Sequence, residues 1–245
     1  MADKLIVDIG NTRTKLALFH NDLLTDLRVF EKPDTGFIEQ MLEKYPDVQG
    51  CILSAVRVYP REIDELLKRQ GFFIQLNKST PLPFQNKYKT PGTLGKDRLA
   101  IAAGAQAQFP EQNVLTIVAG TTVTYDFINC DGEYLGGNIS PGLHMRLKAL
   151  HTFTDQLPLI ELMDSDIELI GTTTETAILS GALHGMAAEM EGMIHRYQNK
   201  YKSLKIIFGG GDYKYFDKRL KNNIFATPNI VLKGLKEILD FNEEI

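Results

Sequence analysis

Eight consecutive residues, Asp8-Ile9-Gly10-Asn11-Thr12-Arg13-Thr14-Lys15, combine a carboxylate, a glycine, small donors and an ammonium. An apolar run ends in Asp8, and Gly10 permits a sharp turn with close approach of a ligand. Backbone N–H groups in such a turn form an anion-binding nest, to which Asn11 and Thr12 add side-chain donors. A carboxylate beside phosphates makes chemical sense only with a Mg2+ ion, or its water shell, between them. A second turn, Gly120-Thr121-Thr122, follows 110 positions after Gly10. Two such turns facing across a cleft could clasp a polyphosphate from both sides. Thr93-Leu94-Gly95-Lys96-Asp97-Arg98 places Asp97 and Arg98 in the first turn of a helix, where free N–H groups favour anions. There Arg98 can clamp a carboxylate with two parallel hydrogen bonds, and Asp97 can accept a proton from a hydroxyl. Each segment alone also has a purely structural reading: a hairpin turn, an aspartate serving a helix N-terminus, an arginine on a solvated face.

Two glycine clusters complete the set. Gly136-Gly137 with Ser140-Pro141-Gly142 suggests backbone pressed against a ligand or a neighbouring element. Gly209-Gly210-Gly211 after KIIF suits the passage of a flat group such as adenine, or a simple turn. The five histidines show no metal-ligand spacing, and neither the GxSxG nucleophile elbow nor the Walker pattern occurs. Met186, Met190 and Met193 have the spacing of a helix core or interface. Lys214, Lys218 and Lys221 read as a solvated face.

Positioning these groups requires a definite order of elements. Residues 5–19 and 115–128 each read as strand, tight turn, strand, which predicts a duplicated domain of mixed α/β type with boundaries at 1–110 and 111–245. Helices are expected over 37–45, 60–70, 96–108, 142–150, 174–198 and 231–241, and further strands over 49–55, 72–76, 134–139 and 204–208.

The 245 residues include 43% hydrophobic and 24% charged side chains and a net charge of −4. That balance supports a buried core and excludes a disordered chain. No basic stripe suggests nucleic acid, no apolar run approaches the roughly 20 residues of a membrane span, and two cysteines make no disulfide framework. The expectation is a cytoplasmic protein with reduced thiols at Cys51 and Cys130.

Together these segments resemble the type III pantothenate kinases, members of the actin/Hsp70/sugar-kinase superfamily of duplicated ribonuclease-H-like (actin-like ATPase) domains around an interdomain cleft. DIGNTRTK is similar to that family's first phosphate motif and AGTTVTYD to its second. Tyr88 with TPGTLGKDRLA resembles its substrate segment, and YLGGNISPGLHMRLKAL and IGTTTETAILSG its downstream segments. The resemblance implies ATP-dependent phosphorylation of pantothenate on its primary hydroxyl, the first step toward coenzyme A. It implies ATP and Mg2+ at Asp8 through Lys15, with Asp8 reaching the metal through water, and ATP phosphate at Thr121. It makes Asp97 the general base and places pantothenate on Tyr88, Gly95, Lys96, Asp97 and Arg98. It also implies a homodimer in which Thr174 reaches the neighbouring active site. One position departs: Val118 stands where the family has an aspartate associated with a monovalent cation, K+ or NH4+. A valine cannot ligate a cation, so the expectation is weak or absent potassium activation, or another oxygen in that role. Two other readings fit the same residues: a catalytically weakened regulatory or accessory binding protein, and a kinase of another small alcohol.

Overall fold

The computed structural model describes residues 3–162, 167–216, 219–220 and 223–245. Lys218 and Lys221, expected on a solvated face, lie outside the described residues. In chain order the elements are β1 (Asp3–Ile9), β2 (Thr14–His20), β3 (Leu23–Phe30), α1 (Thr35–Lys44), β4 (Val48–Ala55), α2 (Glu62–Lys68), β5 (Phe72–Gln75) and the two-residue β6 (Gln85–Asn86). Then come a single 3-10 turn (Pro91–Thr93), α3 (Lys96–Gln108), β7 (Val114–Ala119), β8 (Thr122–Ile128), β9 (Glu133–Pro141) and α4 (Leu143–Thr152). The chain closes with α5 (Thr174–Lys200), β10 (Lys205–Gly209), α6 (Tyr213–Phe216), β11 (Phe225–Ala226) and α7 (Ile230–Glu243).

Two compact units divide it: residues 1–108 with 230–245, and residues 109–229. The first unit carries a sheet in the order β3-β2-β1-β4-β5. Its first three strands are antiparallel, and β4 and β5 add in parallel to β1. In the second unit the strands run β11-β10-β7-β8-β9, with β7-β8-β9 antiparallel and β10 and β11 parallel to β7. Read from the opposite edge this is the same plan, so the repeat seen in the two Gly turns extends to whole sheets.

Both faces of β1 are covered, which is why LIVDI is a nearly continuous apolar run rather than an alternating one. Leu5, Val7 and Ile9 pack with Ile38, Met41 and Leu42 of α1 and Ile63 and Leu67 of α2. The second core gathers Leu115, Ile117, Tyr125, Ile206 and Phe208 from the sheet against Leu143 and Leu147 of α4 and Ile178, Ala182, Met186, Met190 and Ile194 of α5. Met193 packs partly buried beside them. Cys51 is buried and Cys130 exposed, both as free thiols.

The sequence reading assigns residues 111–245 to one domain, whereas α7 packs in the first unit. The cause is close helix contact. A side-chain carbon on Gly234 would lie 1.7 Å from the Ala100 carbonyl oxygen, and one on Gly104 would lie 2.9 Å from the Ile230 carbonyl oxygen. Two glycines thus let α3 and α7 touch backbone to backbone. Charges tie α7 to the sheet: Lys236 reaches Asp22 and Asp240 at 2.6 Å each, and Lys4 bridges Asp240 and Glu243. A Gly234→Ala substitution favours an isolated helix by about 1 kcal/mol, but here it forces the pair apart. The expected net loss is about 1–3 kcal/mol, read as a lower denaturant midpoint; an unchanged midpoint would show that the helices separate freely.

Candidate active site

In the first unit the chemistry collects at the carboxyl ends of parallel strands, the position at which open α/β sheets bind ligands. Asp8 lies near the end of β1, opposite Lys15 of β2 in the antiparallel register. The turn between them is closed by Gly10 N donating to Arg13 O at 3.0 Å, and leaves Asn11, Thr12 and Arg13 exposed. Ile9 and Thr14 point inward: Ile9 is fully buried, and Thr14 Oγ1 accepts from Arg57 at 3.1 Å. Their side chains are therefore turned into the interior of the first unit.

The start of α3 is tied to the same place. Lys96 Nζ donates to the carbonyl oxygen of Ala55, at the end of β4, at 3.1 Å, and Val56 N donates to Ile9 O at 3.0 Å. Lys96, expected to bind substrate, thus also ties the start of α3 to the end of β4. Asp97 is exposed in the first turn, and its Oδ1 accepts from Arg98 N at 3.0 Å. Gly95 makes room for that carboxylate, since a side-chain carbon there would sit 2.4 Å from Asp97 Oδ1. Arg98 is buried, with its guanidinium 5.6 Å from the ring centroid of Tyr88, within cation–π range. Tyr88, Gly95, Asp97 and Arg98 are thereby held at one end of α3.

Burial pushes the Asp8 carboxyl up to about 6; Lys15 pulls it down, and the nearby Asp97 carboxylate pushes it further up. A desolvated carboxylate with a second carboxylate within electrostatic reach is a group whose charge a divalent cation would neutralise, which makes Asp8 the one that would hold it. The residues fit the implied metal.

The second unit builds its own turn at the end of β7. Gly120 N donates to Thr122 O at 3.0 Å, and Thr121 is exposed. The glycine clusters press on this turn. A side-chain carbon on Gly142 would meet Gly120 O at 2.0 Å, and one on Gly210, whose φ is +100°, would meet Ala119 O at 2.1 Å. Gly137 lies equally close to the Tyr125 backbone. For the Gly136–Gly142 cluster, packing against a neighbouring element is met at Gly137 and Gly142, while Gly211 faces open space. Val118 pairs with Thr124 across the β7–β8 ladder. Asp126 accepts from the Tyr134 hydroxyl at 2.7 Å inside the sheet. Thr174 is the first residue of α5, exposed, behind a capping box of Thr173 and Thr176. Sequence reasoning passed over Arg57 and the Tyr125–Glu189–Arg146 cluster, because isolated charged residues at no fixed spacing carry no signal until the strands are paired. Among the described residues no helix is long and apolar enough to cross a membrane.

Two solved structures share this architecture end to end. A protein from Campylobacter jejuni, described as a conserved putative Baf family transcriptional activator, superposes with a TM-score of 0.61 at 22% identity, covering 98% of this chain and 100% of that one. A ROK family glucokinase from Streptomyces griseus gives 0.54 at 12% identity over 98% of this chain and all of its own. The fold is that of the actin-like ATPases and sugar kinases, two ribonuclease-H-like domains in one chain. The profile of the type III pantothenate kinases matches residues 4–196. A type III pantothenate kinase of Christiangramia forsetii is 45% identical over 240 residues, 98% of each chain. The chain belongs to the type III pantothenate kinase family.

Proposed function

We propose that this protein transfers the terminal phosphoryl group of ATP to the primary hydroxyl of pantothenate, giving 4′-phosphopantothenate, with Asp97 as the general base. The observation that carries the assignment of roles is the pairing of an exposed Asp97 at the start of α3 with a desolvated Asp8 at the end of β1. Phosphoryl transfer asks little covalent chemistry of the protein; it needs positioning, charge neutralisation and one base oriented on the alcohol. Asp97 is the accessible carboxylate of the two. Asp8 is the group that would hold Mg2+, directly or through water, and the metal would neutralise phosphate charge. Lys15 adds a cation on the same ladder, and the turn at Asn11–Arg13 and Thr121 supply donors for phosphate oxygens. Arg98, braced by Tyr88, is the clamp for the pantothenate carboxylate. Thr174, at an exposed helix start, is suited to a substrate bound by a second copy of the chain in a homodimer.

The test is ATP- and Mg2+-dependent formation of 4′-phosphopantothenate by the purified protein, against a panel of other small alcohols. Robust product from pantothenate alone supports the reading; turnover of another alcohol in its place overturns it. A second expectation concerns the monovalent cation. With Val118 at the position of the family's carboxylate, and Asp126 engaged by Tyr134, rates in potassium and sodium buffers should agree within about twofold, because an aliphatic side chain offers no oxygen ligand. Strong potassium dependence would show that another oxygen takes the role.

A further inference from the structure

The second unit contains a charged cluster to which the reading above gives no role. Glu189, in the middle of α5, accepts from the Tyr125 hydroxyl at 2.8 Å, from the Ser140 hydroxyl at 3.1 Å and from the Arg146 guanidinium. Arg146 also donates from Nη2 to Ser140 Oγ at 3.0 Å and from Nε to the Pro141 carbonyl oxygen at 2.9 Å. Groups from β8, β9, α4 and α5 therefore converge on residues 140–141. Their neighbour Gly142 supports the Gly120–Thr121 turn: its N–H donates to Thr121 O at 3.2 Å, and a side-chain carbon there would collide with Gly120 O. Burial works to raise the Glu189 carboxyl, but its bonds to Arg146, Tyr125 and Ser140 prevail and hold it below the usual carboxylate range. It is ionised at neutral pH and keeps its grip on the guanidinium. A part-buried ion pair is weak evidence of a contribution to stability, whereas directional bonds from three donors fix one conformation of a loop.

We infer that Arg146 and Glu189 are positioning residues for nucleotide binding: they hold Ser140–Gly142, and through it the Gly120–Thr121 turn, in the conformation that receives ATP phosphate. The inference rests on the reading of Thr121 as a phosphate contact. Three single variants, Glu189→Gln, Arg146→Lys and Thr121→Ala, test it by steady-state kinetics with each substrate varied in turn. Glu189→Gln keeps size but removes the charge. Arg146→Lys keeps the charge but loses the fork that holds Pro141. Each is expected to raise KM for ATP about tenfold, the effect of losing one charge-assisted hydrogen bond, with KM for pantothenate within twofold. The Glu189→Gln/Arg146→Lys double variant should be no worse than the weaker single. A KM for ATP that rises in Thr121→Ala but not in the other two overturns the brace and leaves the reading of Thr121 standing. An unchanged KM for ATP in Thr121→Ala overturns both. A uniform loss of kcat with both KM values unmoved marks the pair as merely structural and also overturns the inference. Should Glu189→Gln fail to fold, Arg146→Lys carries the same test alone.

Discussion

Asp97→Asn is expected to lower kcat by about 10²–10⁴-fold, the usual contribution of a positioned general base. KM for ATP and for pantothenate should stay within a few-fold. The substitution is conservative where the structure is concerned: an amide oxygen can still accept from Arg98 N, as Oδ1 does at 3.0 Å, and Gly95 leaves the same space beside it. What is lost is the capacity to take a proton from the attacking hydroxyl. Steady-state kinetics with calorimetric titration of ATP separates the two effects. A kcat within tenfold of the parent would remove Asp97 from the reaction.

Asp8→Asn should uncouple stability from activity. The folded protein holds the Asp8 carboxyl at about 6 against an ordinary 3.8, through burial first, with Lys15 opposing and Asp97 adding repulsion. The folded state therefore binds this proton more tightly than the unfolded chain. Below pH 3.8 the group is neutral in both states and costs nothing. As pH rises from there toward 6 the folded state loses stability, and above 6 the penalty is complete, of the order of 3 kcal/mol at most. A neutral asparagine removes that penalty. In the absence of Mg2+ and ATP the variant should melt higher at pH 8, by about 2–4 °C for each kcal/mol recovered, and the advantage should vanish near pH 4. Turnover should fall steeply because the group proposed to hold the metal has gone. Melting curves of both proteins from pH 4 to 8, beside an activity assay, decide it. A variant less stable than its parent at pH 8 would show that Asp8 is not strained in the empty site.

The turns and the start of α3 were legible because they depend on contiguous residues. Gly10, Gly120 and Gly95 mark positions where a side chain would obstruct a turn or a carboxylate, and small donors follow each directly. The span of α3, 96–108, agrees with the expectation, and α5 ends two residues later than predicted. Less legible was what depends on distant pairing. Strand β3, with its alternating exposed and half-buried residues, gives only a faint pattern beside the apolar β1 and β2. Ile9 and Thr14 sit within a motif that looks like one binding turn, yet the strand alternation sends both side chains into the interior. The role of Lys96 as a tether needed the position of Ala55, 41 residues away. The place of α7 was hidden for the same reason: its amphipathic pattern announces a buried face but not the sheet that covers it, and the matching glycines lie 130 positions apart.

That placement governs the order in which the molecule can be made. Residues 109–229 form a closed unit inserted between two pieces of the other. On the ribosome the inserted unit has all its parts before the first unit does, although it is encoded later. At 5–20 residues per second, the first 108 residues wait about 6–24 s for the helix that covers Ala100 and Gly104. During that interval the part of α3 that meets α7 lacks that partner. A nascent protein stalled before Ile230 would thus display an alanine-rich apolar surface, a natural handle for chaperones, and the emergence of residues 230–245 would be the event that closes the first unit.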